Sequence, residues 1–169
     1  MTPLHTAPAV GFEAPYEMLH ACHERVLRTL ELLLRLQAHL AAHGADDQAR
    51  DAARDVLRYF DLAAPHHHLD EERHVLPRLR ALGQAALADR VLAEHQQMAA
   101  SYAQIRPGLQ ALAEDGQVPV VAAWPAFVAL YREHIVLEES QVYPPAAAAE
   151  GMQALAAMGA EMAARRRTA

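Results

Sequence analysis

Two segments of the sequence carry the same arrangement of histidine and glutamate. Residues 67–77, HHLDEERHVLP, align without a gap with residues 134–144, HIVLEESQVYP. The opening histidines match, Glu71 matches Glu138, and a proline follows each glutamate by six residues. A histidine and a glutamate four residues apart lie on one face of a helix, about 6 Å from each other. Each segment therefore predicts two side chains that can bind the same metal ion or the same pair of ions.

The alignment also selects one pair among three in the first segment. Each histidine of residues 66–68 precedes an acidic residue by four positions, but only His67 and Glu71 align with the second segment's single pair, His134 and Glu138. That single pair lies on the apolar stripe expected to face the core. A carboxylate buried there must be paired, protonated or bound to metal. We therefore predict that these two aligned pairs bind metal.

Two further histidines precede these pairs in matching places. Residues 22–26, CHERV, resemble residues 94–98, EHQQM, with an apolar residue three positions after each histidine. Each half of the chain thus offers one histidine, His23 or His95, and then a histidine–glutamate pair. Four imidazoles and two carboxylates suit iron or manganese better than calcium, magnesium or thiolate-favoured zinc. If the carboxylates and a shared oxygen bridge two six-coordinate irons, two coordination positions stay open for small molecules.

Four long helices must position these side chains. Apolar residues recur at helical spacing over four stretches, which end at helix stop signals. The stretches run from Tyr16 to His43, from Asp46 or Asp47 to Gly83, from about Ala85 to Ala113, and from about Val120 to Tyr143. We expect Pro65 to kink or split the second helix, Pro107 to bend the third, and Pro144-Pro145 to end the fourth.

These stretches predict an all-α protein. Four helices with short links most simply form an up-down-up-down four-helix bundle, which we place at residues 16–145. Residues 1–15 contain three prolines and a glycine without periodicity and are expected to form a short N-terminal arm. Residues 146–169, rich in alanine and methionine, are expected to add an extra C-terminal helix outside the bundle, from about Ala146 to Arg167.

Composition excludes several other classes of protein. The sequence is 53% hydrophobic but only 5% aromatic, which is typical of helices rather than sheets. The single Cys22 allows neither an internal disulfide nor a thiolate metal site. A net charge of −6, with the one basic run, residues 165–167, at an end expected to fray, argues against a nucleic-acid partner.

The sequence also bears on location and source. No run approaches the roughly 20 apolar residues of a membrane span, and no signal peptide opens the chain, so we expect a cytoplasmic protein with no membrane partner. All 15 basic residues are arginine, and asparagine is absent as well. This usage suggests a GC-rich coding sequence, and we expect a bacterial source.

The order His, His-x-x-x-Glu, His, His-x-x-x-Glu resembles the hemerythrin-like family, also called the HHE cation-binding domain. The resemblance covers about residues 16–145, and the proline six residues after each glutamate is part of it. It implies a non-haem di-iron centre with an oxo or hydroxo bridge, in which Glu71 and Glu138 bridge the two iron ions. The ligands implied by the resemblance are His23, His67, Glu71, His95, His134 and Glu138.

One position departs from the oxygen-carrying members of that family. They have a further histidine four residues before the histidine of the third helix, where this sequence has Val91. His74, on the same helix face as the first histidine–glutamate pair, and His20, one turn before the first-helix histidine, are candidates for a fifth imidazole. Tyr102 and Tyr131 lie within two turns of site residues and are candidates for a second layer around the metal.

The resemblance implies a protein that binds dioxygen or a related small oxidant, such as nitric oxide or peroxide, for sensing, buffering or scavenging. Two alternatives stay open. The centre could be an enzyme that turns over peroxide or nitric oxide, or the chain could be an iron-responsive or structural metal-binding module. We favour binding or sensing over catalysis. The redox or signalling partner is not specified by the sequence.

Overall fold

The computed structural model describes residues 10–167, so residues 1–9, most of the predicted arm, and 168–169 lie outside it. The described residues form five helices, α1 to α5, and no β-strand. Three of them are regular: α1 is Pro15–His43, α3 is Ala85–Asp115 and α5 is Met152–Arg167. The other two contain wider turns. α2 spans residues 47–81, and its wider turns are Tyr59–Ala63 and Glu71–Val75, between the regular segments Asp47–Arg58, Ala64–Asp70 and Leu76–Ala81. α4 spans residues 124–148, and its one wider turn, Glu138–Val142, separates the regular segments Trp124–Leu137 and Tyr143–Ala148.

The first four helices form the bundle, in which α1 and α3 each pack against both α2 and α4. The prediction of an all-α four-helix bundle is therefore confirmed. Two separate apolar clusters fill it. In α1, Leu19 belongs to one cluster and Val26 to the other, and His23 lies between them. A layer of buried polar residues thus lies across the bundle, between the two apolar clusters.

Each wider turn is π-helical and begins six residues before a proline, namely Pro65, Pro77 or Pro144. A proline has no N–H to donate to the carbonyl four residues back, and its ring crowds that carbonyl. A π turn accommodates the extra width, and such turns are frequent at functional sites. The expected disruption at Pro65 therefore takes the form of a local widening, after which α2 continues.

Several predicted helix boundaries are wrong. α4 begins at Trp124 rather than near Val120, with Pro125 in its first turn, where a missing N–H costs no intrahelical bond. Pro144 does not end α4, because the π turn before it places the proline in the first turn of a new α-helical segment. α5 begins at Met152 rather than Ala146. α3 runs through its internal proline as one helix.

α5 packs along the end of the bundle that holds the apolar cluster of Leu19, and Met158 and Met162 of α5 belong to this cluster. Gly159 lies against the backbone of Phe12, so that a Cβ at this position would overlap the Phe12 carbonyl. The predicted fraying of the basic run is wrong for Arg165 and Arg166, whose guanidinium groups donate to the buried carboxylate of Asp70 at 2.6 Å. Within residues 10–167, no helix is both long and apolar enough to span a bilayer.

Candidate metal centre

Six side chains meet in the polar layer of the bundle, and they are the six that the sequence singled out. α1 and α3 contribute one histidine each, whereas α2 and α4 contribute one histidine and one glutamate each. All six are at most 3% exposed. They are His23, His67, Glu71, His95, His134 and Glu138. Their convergence requires all four helices, so the site forms only when the bundle has closed.

The six residues divide into two overlapping groups of potential metal ligands. The first group adds His23 and His67 to the two glutamates, and the second adds His95 and His134 to the same two glutamates. Within each group the potential ligand atoms all lie within 4.8 Å of one another. Because both carboxylates belong to both groups, the arrangement suits two cations that share them.

The second group shows the need for a cation most directly. Nε2 of His95 lies 3.2 Å from Oε2 of Glu71, and Nε2 of His134 lies 3.0 Å from Oε1 of Glu138. All four atoms are buried, and none has a hydrogen-bond partner of good geometry among the described residues. Buried polar atoms of this kind are costly unless something satisfies them. A cation between them would satisfy all four at once.

The first group is equally compact. Nε2 of His23 lies 3.1 Å from Oε2 of Glu138 and 3.9 Å from Oε1 of Glu71. Nε2 of His67 lies 3.3 Å from Oε1 of Glu71. These nitrogen and oxygen atoms are ligands that first-row transition metals accept. The donor set of both groups therefore fits iron, the metal implied by the family resemblance.

Burial and mutual contact set the charges in the site. Burial and the charge of Glu138 raise the pKa of Glu71. Burial acts to raise the pKa of Glu138 as well, but contacts with three imidazoles hold it well below its ordinary value. Burial acts to lower the pKa of His95, but contacts with carboxylates raise it to about 11. Imidazolium protons thus balance carboxylate charge, and a bound cation would replace them and release protons.

Three further glutamates orient the imidazoles from outside. Each accepts a hydrogen bond from a histidine Nδ1, which leaves the Nε2 of that ring facing the centre. The pairs are His23 with Glu139 at 3.0 Å, His95 with Glu72 at 2.9 Å and His134 with Glu94 at 2.7 Å. Carboxylates in this position fix the tautomer and orientation of a metal-binding histidine and raise its basicity.

His67 is the exception. Its Nδ1 is buried and has no hydrogen-bond partner among the described residues. Glu94 of α3, which orients His134, is matched in the sequence repeat by Cys22 of α1, and a cysteine offers no carboxylate. Burial raises the pKa of the Cys22 thiol, so the cysteine stays neutral. The two groups therefore differ in how firmly the rest of the protein orients their imidazoles.

The outer carboxylates lead to a first prediction. We expect Glu72→Ala to lower the affinity for iron by about 10–100-fold, because His95 loses the group that orients its ring. Competition with a chelator of known affinity measures the change. Glu133→Ala, at an exposed position of α4, is the matched control and should leave the affinity at the wild-type value. Equal affinities in the two variants would show that Glu72 does not orient the ligand.

The other candidates from the sequence lie outside the six-residue centre. His20 is exposed and contacts Glu139 at 3.2 Å, on the outer side of the first group. His74 contacts Glu161 of α5 at 2.6 Å. The phenol of Tyr102 donates to Asp61 at 2.8 Å. Tyr131 is buried in an apolar cluster, where its ring packs against that of Phe127 and also stacks on His68 at a centroid distance of 5.9 Å.

Sequence reasoning missed two residues that the structure places at the centre. His68 has a ring nitrogen within 4.8 Å of those of His95 and His134, and its ring stacks on His95 at a centroid distance of 4.2 Å. Tyr143 is buried, and its ring stacks on that of His23. The repeat did not indicate either residue, because His68 aligns with Ile135 and Tyr143 aligns with Leu76, and neither isoleucine nor leucine carries a ligand atom.

The missed outer carboxylates had a visible signal. Glu72 and Glu139 occupy the same position of the repeat, one residue after each buried glutamate. Each reaches the histidine of a neighbouring helix, His95 for Glu72 and His23 for Glu139. A repeated acidic residue beside a predicted metal ligand is therefore a sign of an orienting carboxylate.

Fold and site together define a helical-bundle domain with a buried cation site lined by histidine and glutamate. The family model of the hemerythrin HHE cation binding domain matches residues 14–146, and the chain belongs to this family. The family predicted from the sequence is therefore confirmed. The chain is also similar to an uncharacterized protein of Haemophilus influenzae (strain ATCC 51907 / DSM 11121 / KW20 / Rd), with 37% identity over 65 residues. That match spans 38% of each chain.

Proposed function

We propose that this protein is a non-haem di-iron protein that binds dioxygen or a related small oxidant, nitric oxide or peroxide, for sensing, buffering or scavenging. The observation that carries the proposal is the presence of two ligand groups that share both buried glutamates. The Nε2 atoms of His95 and His134 and one oxygen of each glutamate have no hydrogen-bond partner of good geometry among the described residues, and a cation would satisfy them. Membership of a cation-binding family supports the same conclusion.

The chain's own residues would each have a definite task at such a centre. Glu71 and Glu138, which belong to both ligand groups, would bind both ions, and the four histidines would complete the two groups. The apolar clusters on either side exclude bulk water. Two bound iron ions would supply the electrons that a small oxidant accepts. Binding, orientation and protection from water are the contributions of the protein.

We further propose that the protein acts in a bacterial cytoplasm, together with a redox or signalling partner protein. The sequence has a single cysteine and so cannot form an internal disulfide, which agrees with a reducing compartment. We propose neither a nucleic-acid nor a membrane partner, because the net charge is −6 and two arginines of the one basic run bind Asp70.

Iron quantification on the purified protein, together with visible absorption of the oxidised and reduced forms, tests the proposal. We expect about two iron ions per chain in the wild type, and about one in His134→Ala, because the second group loses an imidazole. His39→Ala is the matched control, since His39 contacts Asp46 near the end of α1. A wild-type protein that carries zinc and no iron, or an unchanged iron content in His134→Ala, would contradict the proposal.

Rapid mixing of the reduced, iron-loaded protein with peroxide, dioxygen or nitric oxide distinguishes binding from turnover. For a binding protein we expect a lasting spectral change that saturates at about one equivalent per chain. Consumption of many equivalents, with return of the starting spectrum after each addition, would identify an enzyme instead. No spectral change with any of the three would exclude an oxidant-binding role.

A further inference from the structure

The phenol of Tyr143 lies among the ligand atoms of the first group. Tyr143 is 2% exposed and follows the π turn that begins at Glu138. Its Oη is 3.1 Å from Nε2 of His23 and donates a hydrogen bond to Oε1 of Glu71. These two partner atoms are the ones with which His23 and Glu71 would bind the first cation.

The spacing of these atoms restricts where the first cation can lie. Nε2 of His23 and Oε1 of Glu71 are 3.9 Å apart, whereas bonds from first-row metals to such atoms are about 2.0–2.2 Å long. An ion bound to both atoms must therefore lie close to the line that joins them. Oη of Tyr143 is within hydrogen-bond distance of both ends of that line. The same ion would then be within bonding reach of the phenol oxygen.

We propose that Tyr143 is a protein ligand of the first metal position and binds iron through its phenolate oxygen. This inference rests on the proposed di-iron centre and adds a ligand to it. The phenol gives up its proton to solvent when the ion binds, because a bound cation favours the anionic form of a ligand, as it does for thiols. The hydrogen bond to Glu71 is then replaced by a shared metal ion.

The repeat restricts this ligand to one of the two metal positions. Leu76 occupies the place of Tyr143 in the first half of the chain and packs in an apolar cluster. The second group instead faces the imidazole of His68. The centre therefore holds one phenolate for every two iron ions, and the two ions are chemically different.

Tyrosinate bound to ferric iron gives an intense charge-transfer band in the visible spectrum, and this band tests the proposal. We expect it in the oxidised, iron-loaded wild type, with an intensity that corresponds to one phenolate per two iron ions. Excitation within the band should enhance the ring vibrations of a coordinated phenolate in the resonance Raman spectrum. Tyr143→Phe should lose the band and these vibrations completely. Tyr131→Phe, which removes another buried phenol, should keep both.

The outcomes separate this inference from the proposed function. A wild type that binds two iron ions without the band, or a Tyr143→Phe protein that keeps it, overturns the tyrosinate ligand and leaves the di-iron proposal standing. A wild type without iron overturns the proposed function itself. If Tyr143→Phe does not fold, wild-type protein grown with ring-deuterated tyrosine shows whether a tyrosinate is bound, because phenolate vibrations must shift with the label, and Tyr143 is the tyrosine whose oxygen contacts ligand atoms of the first group. Vibrations that do not shift overturn the tyrosinate ligand.

Discussion

Glu138→Ala should remove both iron ions, whereas loss of a single histidine should remove only one. Glu138 belongs to both ligand groups, and its oxygens lie 3.0 Å from Nε2 of His134 and 3.1 Å from Nε2 of His23. Without it, each group keeps two imidazoles and the carboxylate of Glu71, and the imidazoles also lose their main counter-charge. We expect the iron content to fall from about two per chain to almost none.

The measurement is iron per folded chain after anaerobic loading and removal of loosely bound metal. Helix content from circular dichroism shows whether the variant has folded. Glu133→Ala changes an exposed glutamate of the same helix and should keep the wild-type iron content. If Glu138→Ala retained one tightly bound iron, Glu138 would belong to one position only, and the shared-carboxylate arrangement would be wrong.

Asp70→Ala should cause a large loss of stability. Asp70 is fully buried and accepts hydrogen bonds from Arg165 and Arg166, which connect α5 to the part of α2 that carries His67 and Glu71. The change removes the buried carboxylate that pairs with both arginines. Arg165 keeps its pair with Glu161 at 2.9 Å, whereas Arg166 loses the carboxylate with which it pairs. We expect a cost of about 3 kcal/mol, the lower end of the usual range, because both arginines keep some exposure to water. The midpoint of thermal unfolding should fall by about 6–12 °C.

Unfolding should be followed in the presence of a chelator, so that metal binding does not contribute to the measured free energy. Asp89→Ala is the matched control, because Asp89 pairs with Arg80 at 2.6 Å on the surface. Its expected effect is within about 0.5 kcal/mol. If Asp70→Ala cost no more than the control, the contacts of Asp70 would contribute nothing measurable to holding α5 against the bundle.

Helical periodicity predicted the fold class, and two repeats in the sequence predicted the six residues that meet in the bundle. This was possible because helical periodicity is local. Side chains four residues apart share a helix face whatever the rest of the chain does. The polar pair on the apolar stripe of α4, His134 and Glu138, therefore had to lie inside, and the structure buries both. Their role as metal ligands remains a prediction.

Pro65 and Pro144 affect their helices differently from what the sequence predicted. Pro65 and Pro144 were expected to interrupt or end helices, because a proline removes a backbone hydrogen bond. The structure instead widens the turn six residues before each of them. The N–H of Tyr143 then bonds to the carbonyl of Glu138, five residues back. The spacing between glutamate and proline was visible in the sequence, but not the π turn that it accompanies.

Contacts between distant residues could not be predicted. His23 and Glu139 are 116 positions apart, and Tyr143 reaches Glu71 across 72 positions. Which side chains face each other across a bundle depends on the vertical offset and rotation of each helix, and these depend on the packing of the whole core. For the same reason His68, which the repeat had set aside, was found beside the second group only in the structure.

The sequence by itself thus determined the helices, their inward faces and the four imidazoles and two carboxylates on those faces, because these follow from spacing along one chain segment. Tertiary structure alone decided how the six residues divide into two groups, which glutamates orient which histidines and where Tyr143 lies. It also decided that the basic end of α5 is held by Asp70. These features depend on how separate helices meet, which the packing of the assembled bundle determines.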